Sequence, residues 1–155
     1  ISFADTPHFV DFNKVLNTSK AGTAAQEELK SRFVSGNKKF SKQEKDVRQE
    51  EKELIAKKKL ITKEEYQKKV KELRKKVANL QKNKQIALEN ISKSRNKARQ
   101  DLLKAVNPII KKYMEDNKIR IVLDKESVLM GDQALEITDQ IIIILNKEIS
   151  KLKVN

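Results

Sequence analysis

Apolar residues recur at helical intervals through the middle of this chain. Phe33, Phe40, Val47 and Leu54 stand seven residues apart, preceded by Leu29 and interleaved with Gly36. Tyr66, Val70, Leu73, Val77 and Leu80 then alternate four and three apart, and Ala87 and Ile91 hold the register with Lys84 in one seam position. Ala98, Leu102, Ala105 and Ile109 follow after a small phase shift. A 3.5-residue period held this long predicts coiled coil.

A helix-start signal divides the pattern in two. Thr62-Lys63-Glu64-Glu65 is a capping box, with Ile61 and Tyr66 at the positions of a hydrophobic staple. Helix one should therefore end near Ala56 and helix two begin at about Lys63. Lys57-Lys58-Lys59-Leu60 makes the turn, its lysines placed where the helix dipole favours cations. A short turn between helices of matching seam predicts antiparallel pairing. The arm would have about 35 to 40 residues and a length of roughly 50–60 Å at 1.5 Å per residue. Helix one offers one large apolar residue per heptad, so the arm should be marginally stable. Either a long hairpin needs no more, or flexibility serves to wrap something of variable size.

The chain ends read differently. His8-Phe9-Val10-Asp11-Phe12 is expected as a strand, residues 119–124 as a second, and Val128-Leu129-Met130, ending at Gly131-Asp132, as a third. Asp124 and Asp132 would flank a hairpin turn. Thr138 can cap a final helix holding residues 141–145, though five consecutive aliphatics also suit a buried strand. The fold class is thus α+β, mostly helical. A coiled-coil hairpin over 23–117, its tip near 57–62, is inserted in a small β-rich body of 1–22 and 118–155. A body of about 60 residues lies below the roughly 70–80 at which one core supports itself. Pooling strands from several chains solves this and predicts an obligate oligomer with a shared hub. Its expected core is Phe9, Val10, Phe12, Ile119, Ile121, Val122, Leu123, Val128 and Leu129.

Composition removes most chemistry. With no Cys and only His8, there is no soft-ligand zinc set, disulfide framework, or Cys–His or Ser–His pair, and His8 reads as a strand or surface residue. Glycines at 22, 36 and 131 cannot build a phosphate loop. The longest apolar run, 141–145, is far short of the roughly 18 residues of a membrane span. No enzyme activity and no cofactor are expected. Charge is more telling. Residues 30–118 carry 28 Lys+Arg and 12 Asp+Glu, a net of +16; the remainder carries 7 and 10, a net of −3, giving the chain +13. The candidate contact residues are Lys57, Lys58, Lys59, Lys68, Lys69, Lys71, Arg74, Lys75 and Lys76, with Leu60 at the tip. The alternatives are a solvated lysine face, and for Leu60 and Ile61 simply turn and staple.

The end motifs carry a resemblance. His8-Phe9-Val10-Asp11 through Val15-Leu16, Ser19 and Ala21-Gly22-Thr23-Ala24-Ala25-Gln26 resembles the opening of the Skp (OmpH-like) periplasmic chaperone family. Ile121-Val122-Leu123-Asp124-Lys125, Val128-Leu129, Asp132 and Leu135-Glu136-Ile137-Thr138 resemble its close, with Asn107-Pro108-Ile109 where that family often has a proline. Glu136 stands where the family more often has Asp. The resemblance implies a homotrimer with a β-barrel hub and three arms around a cavity. It implies capture there, without ATP, of unfolded outer-membrane β-barrel proteins, and contact with anionic lipid or lipopolysaccharide at unmapped residues. It also implies the periplasm. Ser2-Phe3-Ala4 before Asp5 fits the end of a secretory signal cleaved after Ala4, or else a leader with no such history. Two rivals stand beside it, a structural assembly subunit and nucleic-acid binding through phosphate charge. Against nucleic acid, no groove-reading motif is present, aromatics are sparse and lysine far outnumbers arginine.

Overall fold

In a computed structural model of the chain, residues 6–154 are described; the Ser2-Phe3-Ala4 motif lies outside them. The elements run β1 (His8–Val10), α1 (Phe12–Thr18), α2 (Lys20–Ala56), α3 (Lys63–Asp116), β2 (Val122–Asp124) and α4 (Thr138–Glu148), with single 3-10 turns at Lys125–Ser127 and Gln133–Leu135. Two units form. One holds the residues up to Leu29 and from Ser94 onward; the other is Lys30–Lys93.

In the first unit the chain ends pair, and they pair in parallel: His8 lies opposite Val122, Phe9 opposite Leu123 and Val10 opposite Asp124. On its other side β1 meets residue 136, and the Ile137 N–H donates to the Phe9 carbonyl at 3.0 Å. The expected third strand at 128–130 does not form. Asp124 and Asp132 each accept the N–H two residues on, from Glu126 at 3.1 Å and Ala134 at 2.9 Å. These local bonds open 3-10 turns on both sides and compete with a strand ladder. The first strand is also shorter than expected. The Asp11 carboxylate accepts the Lys14 N–H at 2.9 Å and caps α1, so Phe12 is helical.

Residues 141–145 are helical, within α4. Thr138 does not cap that helix. Its hydroxyl accepts the Asp11 N–H at 2.9 Å and donates to Glu136 at 2.8 Å, both partners outside α4. At the start of α2, the buried Ser19 hydroxyl accepts the Gly22 N–H at 3.1 Å, and Asn146 of α4 accepts the Lys20 N–H at 2.8 Å.

The core packs Val10, Val15 and Ala21 against Leu102, Val106 and Ile109 of α3 and Ile141 and Leu145 of α4. Leu102 and Ile109, read as seam positions of the arm, thus belong to the body. Their burial also explains why α3 runs through Pro108. An interior proline costs about 3 kcal/mol, whereas Val106, Ile109 and Ile110 each return roughly 1.5–3 kcal/mol on burial. The helix then stops sharply. Lys118 takes φ 56°, the Ile119 N–H reaches back to the Met114 carbonyl at 2.9 Å, and that of Lys118 reaches Glu115 at 3.4 Å. This is a Schellman cap with lysine where glycine is usual.

In the second unit α2 ends at Ala56, a turn occupies 57–60 and α3 starts at Lys63, as the sequence predicts. The capping box is formed: Glu65 N–H donates to the Thr62 hydroxyl at 3.2 Å, and Thr62 N–H to the Glu65 carboxylate at 3.3 Å. Two cross-helix pairs give the direction of packing. Lys76 bonds Glu50 and Lys84 bonds Glu44, so six residues back along α2 meet eight forward along α3. The helices are antiparallel. Of residues 30–93 only Leu80 is buried, with Phe40, Val47, Leu54, Val70 and Leu73 half-buried.

Candidate functional site

The lysines singled out from the sequence do not make one patch. Lys76 is committed to Glu50, with its ammonium 2.6 and 2.9 Å from the two carboxylate oxygens. Lys58 lies over the Tyr66 ring, 5.5 Å from its centre, a cation–π contact that steadies the turn. Lys57 and Lys69 line a shallow groove between the helices, where Glu50, Glu53 and Glu72 offset their charge. Lys59, Lys68, Lys71, Arg74 and Lys75 are exposed on the hairpin surface. At the tip Ile61 is half-buried, while Leu60 is 81% exposed.

Lys84, a polar residue in an apolar seam, is accounted for by Glu44 at 2.7 Å. The hydrogen bond and charge of Lys84, with Arg48 adding to them, hold the Glu44 carboxyl below the usual carboxylate range. Its partner lies 40 residues away, so sequence spacing gave no signal of it. Several apolar groups are left exposed in this unit, among them Phe33 and Val77, which the heptad pattern places in the seam. They are Phe33, Val34 and Ile55 on α2, and Val77, Ile86 and Leu88 on α3.

In the first unit the nine residues expected in an oligomer core divide. Phe9 and Val10 are buried within the chain itself, and Phe12, Ile119 and Val122 pack against its core. Val128 is half-buried. Ile121, Leu123 and Leu129 face outward, and Met130, not among the nine, is 88% exposed beside them. The sheet has two strands, so the edge of β2 away from β1 has no strand partner among the described residues.

A polar cluster gathers around Glu136, on the other side of β1. Glu136 accepts from Lys125 at 3.0 Å and from Thr138 at 2.8 Å, which together keep its carboxyl below its ordinary range. Lys125 also lies 3.8 Å from the Asp11 carboxylate, and Lys14 pairs with Asp139 at 2.7 Å. The cluster anchors both ends of the 125–136 segment that presents Leu129 and Met130. Among the described residues no group of His, Asp or Glu is placed to hold a metal, and no helix is long and apolar enough to cross a membrane.

A thin basic helical hairpin and a small parallel sheet with exposed apolar side chains along its open strand characterise the chain. The family described as outer membrane protein (OmpH-like) matches residues 8–145, and the chain belongs to that family. In fold it is similar to a crystal structure from Caulobacter crescentus CB15, described as a candidate outer membrane chaperone (OmpH-like). The TM-score is 0.91 at 22% identity, over 96% of this chain and 88% of that one. No curated protein matches.

Proposed function

We propose that the protein is an ATP-independent periplasmic holdase that captures unfolded outer-membrane β-barrel proteins between basic helical arms and keeps them from aggregating. The observation that carries this reading is the surface of residues 30–93. Leu80 alone is buried there, while Phe33, Val34, Ile55, Leu60, Ile86 and Leu88 stand exposed among lysines. Such a surface offers many weak apolar contacts spread along two helices, which suits a partner that has no fixed shape. The basic excess attracts acidic chains over roughly a Debye length, about 8 Å at physiological salt. Family membership and the description of the Caulobacter crescentus protein support the same reading.

Several arms would multiply these contacts into useful avidity. We take the assembly to be a homotrimer closed through the free edge of β2, with Ile121, Leu123, Leu129 and Met130 as contacts. Each apolar side chain covered would contribute roughly 1.5–3 kcal/mol. The unit that runs up to Leu29 and resumes at Ser94 would then serve the hub, and Lys30–Lys93 the arm. The exposed lysines would also meet anionic lipid or lipopolysaccharide surfaces, and a secretory leader would be removed after Ala4.

The test dilutes a urea-unfolded acidic outer-membrane barrel into buffer holding this protein and excess duplex DNA, following light scattering and complex mass together. Suppressed scattering, with one barrel held per three chains, is the expected result. Reversing Lys68, Lys69 and Lys75, none of which forms an ion pair among the described residues, should weaken capture at unchanged assembly mass. A barrel left to aggregate while the protein sits on DNA would move the hairpin to the nucleic-acid class.

A further inference from the structure

The outward face of α2 carries a row of cations, three of which pair with no acid of the hairpin. Lys38, Lys42, Lys45, Arg48 and Lys52 are all exposed. They follow one another at four, three, three and four residues, so at 100° per residue they fall within an arc of about 120° and span roughly 21 Å. The acids of the same stretch, Glu44, Asp46, Glu50, Glu51 and Glu53, all lie outside that arc. Two of them, Glu44 and Glu50, are spent on Lys84 and Lys76 of the facing helix.

Three members of the row are extreme. Lys38, Lys45 and Lys52 stand at seven-residue intervals, and none has an acid three or four positions away in either direction. None of the three forms an ion pair among the described residues. Their neighbours on the face are Lys42 and Arg48. Like charges at these spacings destabilise a helix, and here no packing gain offsets the cost. A local rule broken without compensation marks a surface shaped by something other than folding.

We propose that this ridge binds inorganic polyphosphate, a linear polymer with an anionic group at every repeat. The chemistry of the face selects it. The cations are mostly lysines, point charges without the planar fork that favours bidentate recognition. No aromatic residue lies on the arc, so a nucleobase has nothing to stack on. The face offers Ser41 and Gln49 but no carboxylate, a poor set of acceptors for sugar hydroxyls. A ligand made only of charge meets everything this face presents. The site differs from the exposed apolar groups invoked for unfolded chains, and its test does not depend on chaperone activity.

The test uses the full-length chain and end-labelled polyphosphate of defined length, read by fluorescence anisotropy across a salt series. Five contacts at a slope of about 0.7 each predict a loss of roughly 130-fold in affinity between 50 and 200 mM salt. Substituting Lys38→Gln, Lys45→Gln and Lys52→Gln should reduce that loss to roughly 7-fold, the two remaining contacts giving a slope of about 1.4. Circular dichroism should find this variant as helical as the native chain, because only repulsive neighbours are removed. A control carrying Lys104→Gln, Lys111→Gln and Lys147→Gln changes net charge equally and should keep the native slope. The proposal is overturned if the two triple variants behave alike, if no binding is seen, or if duplex DNA or polyglutamate at equal charge binds as tightly as polyphosphate.

Discussion

The same substitution at two glycines of α2, fourteen residues apart, should change stability in opposite directions. A Cβ on Gly22 would lie 2.0 Å from the Leu16 carbonyl oxygen and 2.8 Å from its carbon, both backbone atoms of α1. Relief requires α1 and α2 to part by about 1 Å, since packed carbon and oxygen prefer more than 3 Å. That movement strips the Ser19 hydroxyl from the Gly22 N–H, a helix cap of about 1 kcal/mol. It leaves the fully buried Ser19 Oγ without its partner, at roughly 1–3 kcal/mol. It also loosens the bond from Gln26 to the Leu16 carbonyl. Against this, alanine gains up to about 1 kcal/mol over glycine within a helix, so Gly22→Ala should cost about 1–3 kcal/mol overall. At Gly36 a Cβ meets nothing within 4 Å, and Gly36→Ala should gain the helix term alone, about 0.5–1 kcal/mol. Urea denaturation followed by far-ultraviolet circular dichroism measures both, at one fixed protein concentration because association adds to apparent stability. A Gly22→Ala variant within 0.5 kcal/mol of native would refute the close approach of α1 to α2.

Three further outcomes are expected. Lys118→Gly should stabilise the chain by about 1 kcal/mol, since lysine bears a left-handed conformation there that glycine adopts freely; an unchanged urea midpoint would count against the cap. The Glu136 carboxyl is depressed by Lys125 and Thr138, so its contribution is complete above the ordinary carboxylate range and is lost as pH falls through the depressed folded value. A Glu136→Gln variant should therefore show a flatter acid limb of stability, measured by urea midpoints across pH, while an unaltered limb would remove Glu136 as its source. Leu123→Asp places a charge on the free edge of β2 and should dissociate the assembly without loss of helix, so an intact oligomer in sedimentation would refute the use of that edge.

What the sequence makes legible here is what depends on neighbours in sequence. The capping box at Thr62, the end of α2 at Ala56 and the thin seam all rest on spacings of seven residues or fewer. Contacts over long separations were hidden. Thr138 has the composition of an N-cap, yet its hydroxyl serves Asp11, 127 residues away. Val128-Leu129-Met130 has the composition of a strand, but Asp124 and Asp132 commit the flanking backbone to local turns. Helix α1 had a signal that could have been read, Asp11 ahead of Val15 and Leu16. The placement of Leu102 and Ile109 in the body had none, because a seam position and a core position look identical along one helix. The charge row on α2 was likewise concealed until Glu44 and Glu50 were paired with α3 and the unspent cations stood out.

The single buried residue of the Lys30–Lys93 unit bears on how the chain would be lost. Tertiary burial is what holds most helices against opening, and this unit has almost none, while it is dense in the lysines and arginines that trypsin-like proteases require. Cleavage should therefore begin there and leave the body standing. Val15 and Ala21 would remain on one fragment, packed against Leu102 and Val106 on the other. A nicked chain would keep its core and its exposed β2 edge; in the proposed trimer it would still join intact partners while contributing a severed arm. Damage to one chain would there be carried into all three.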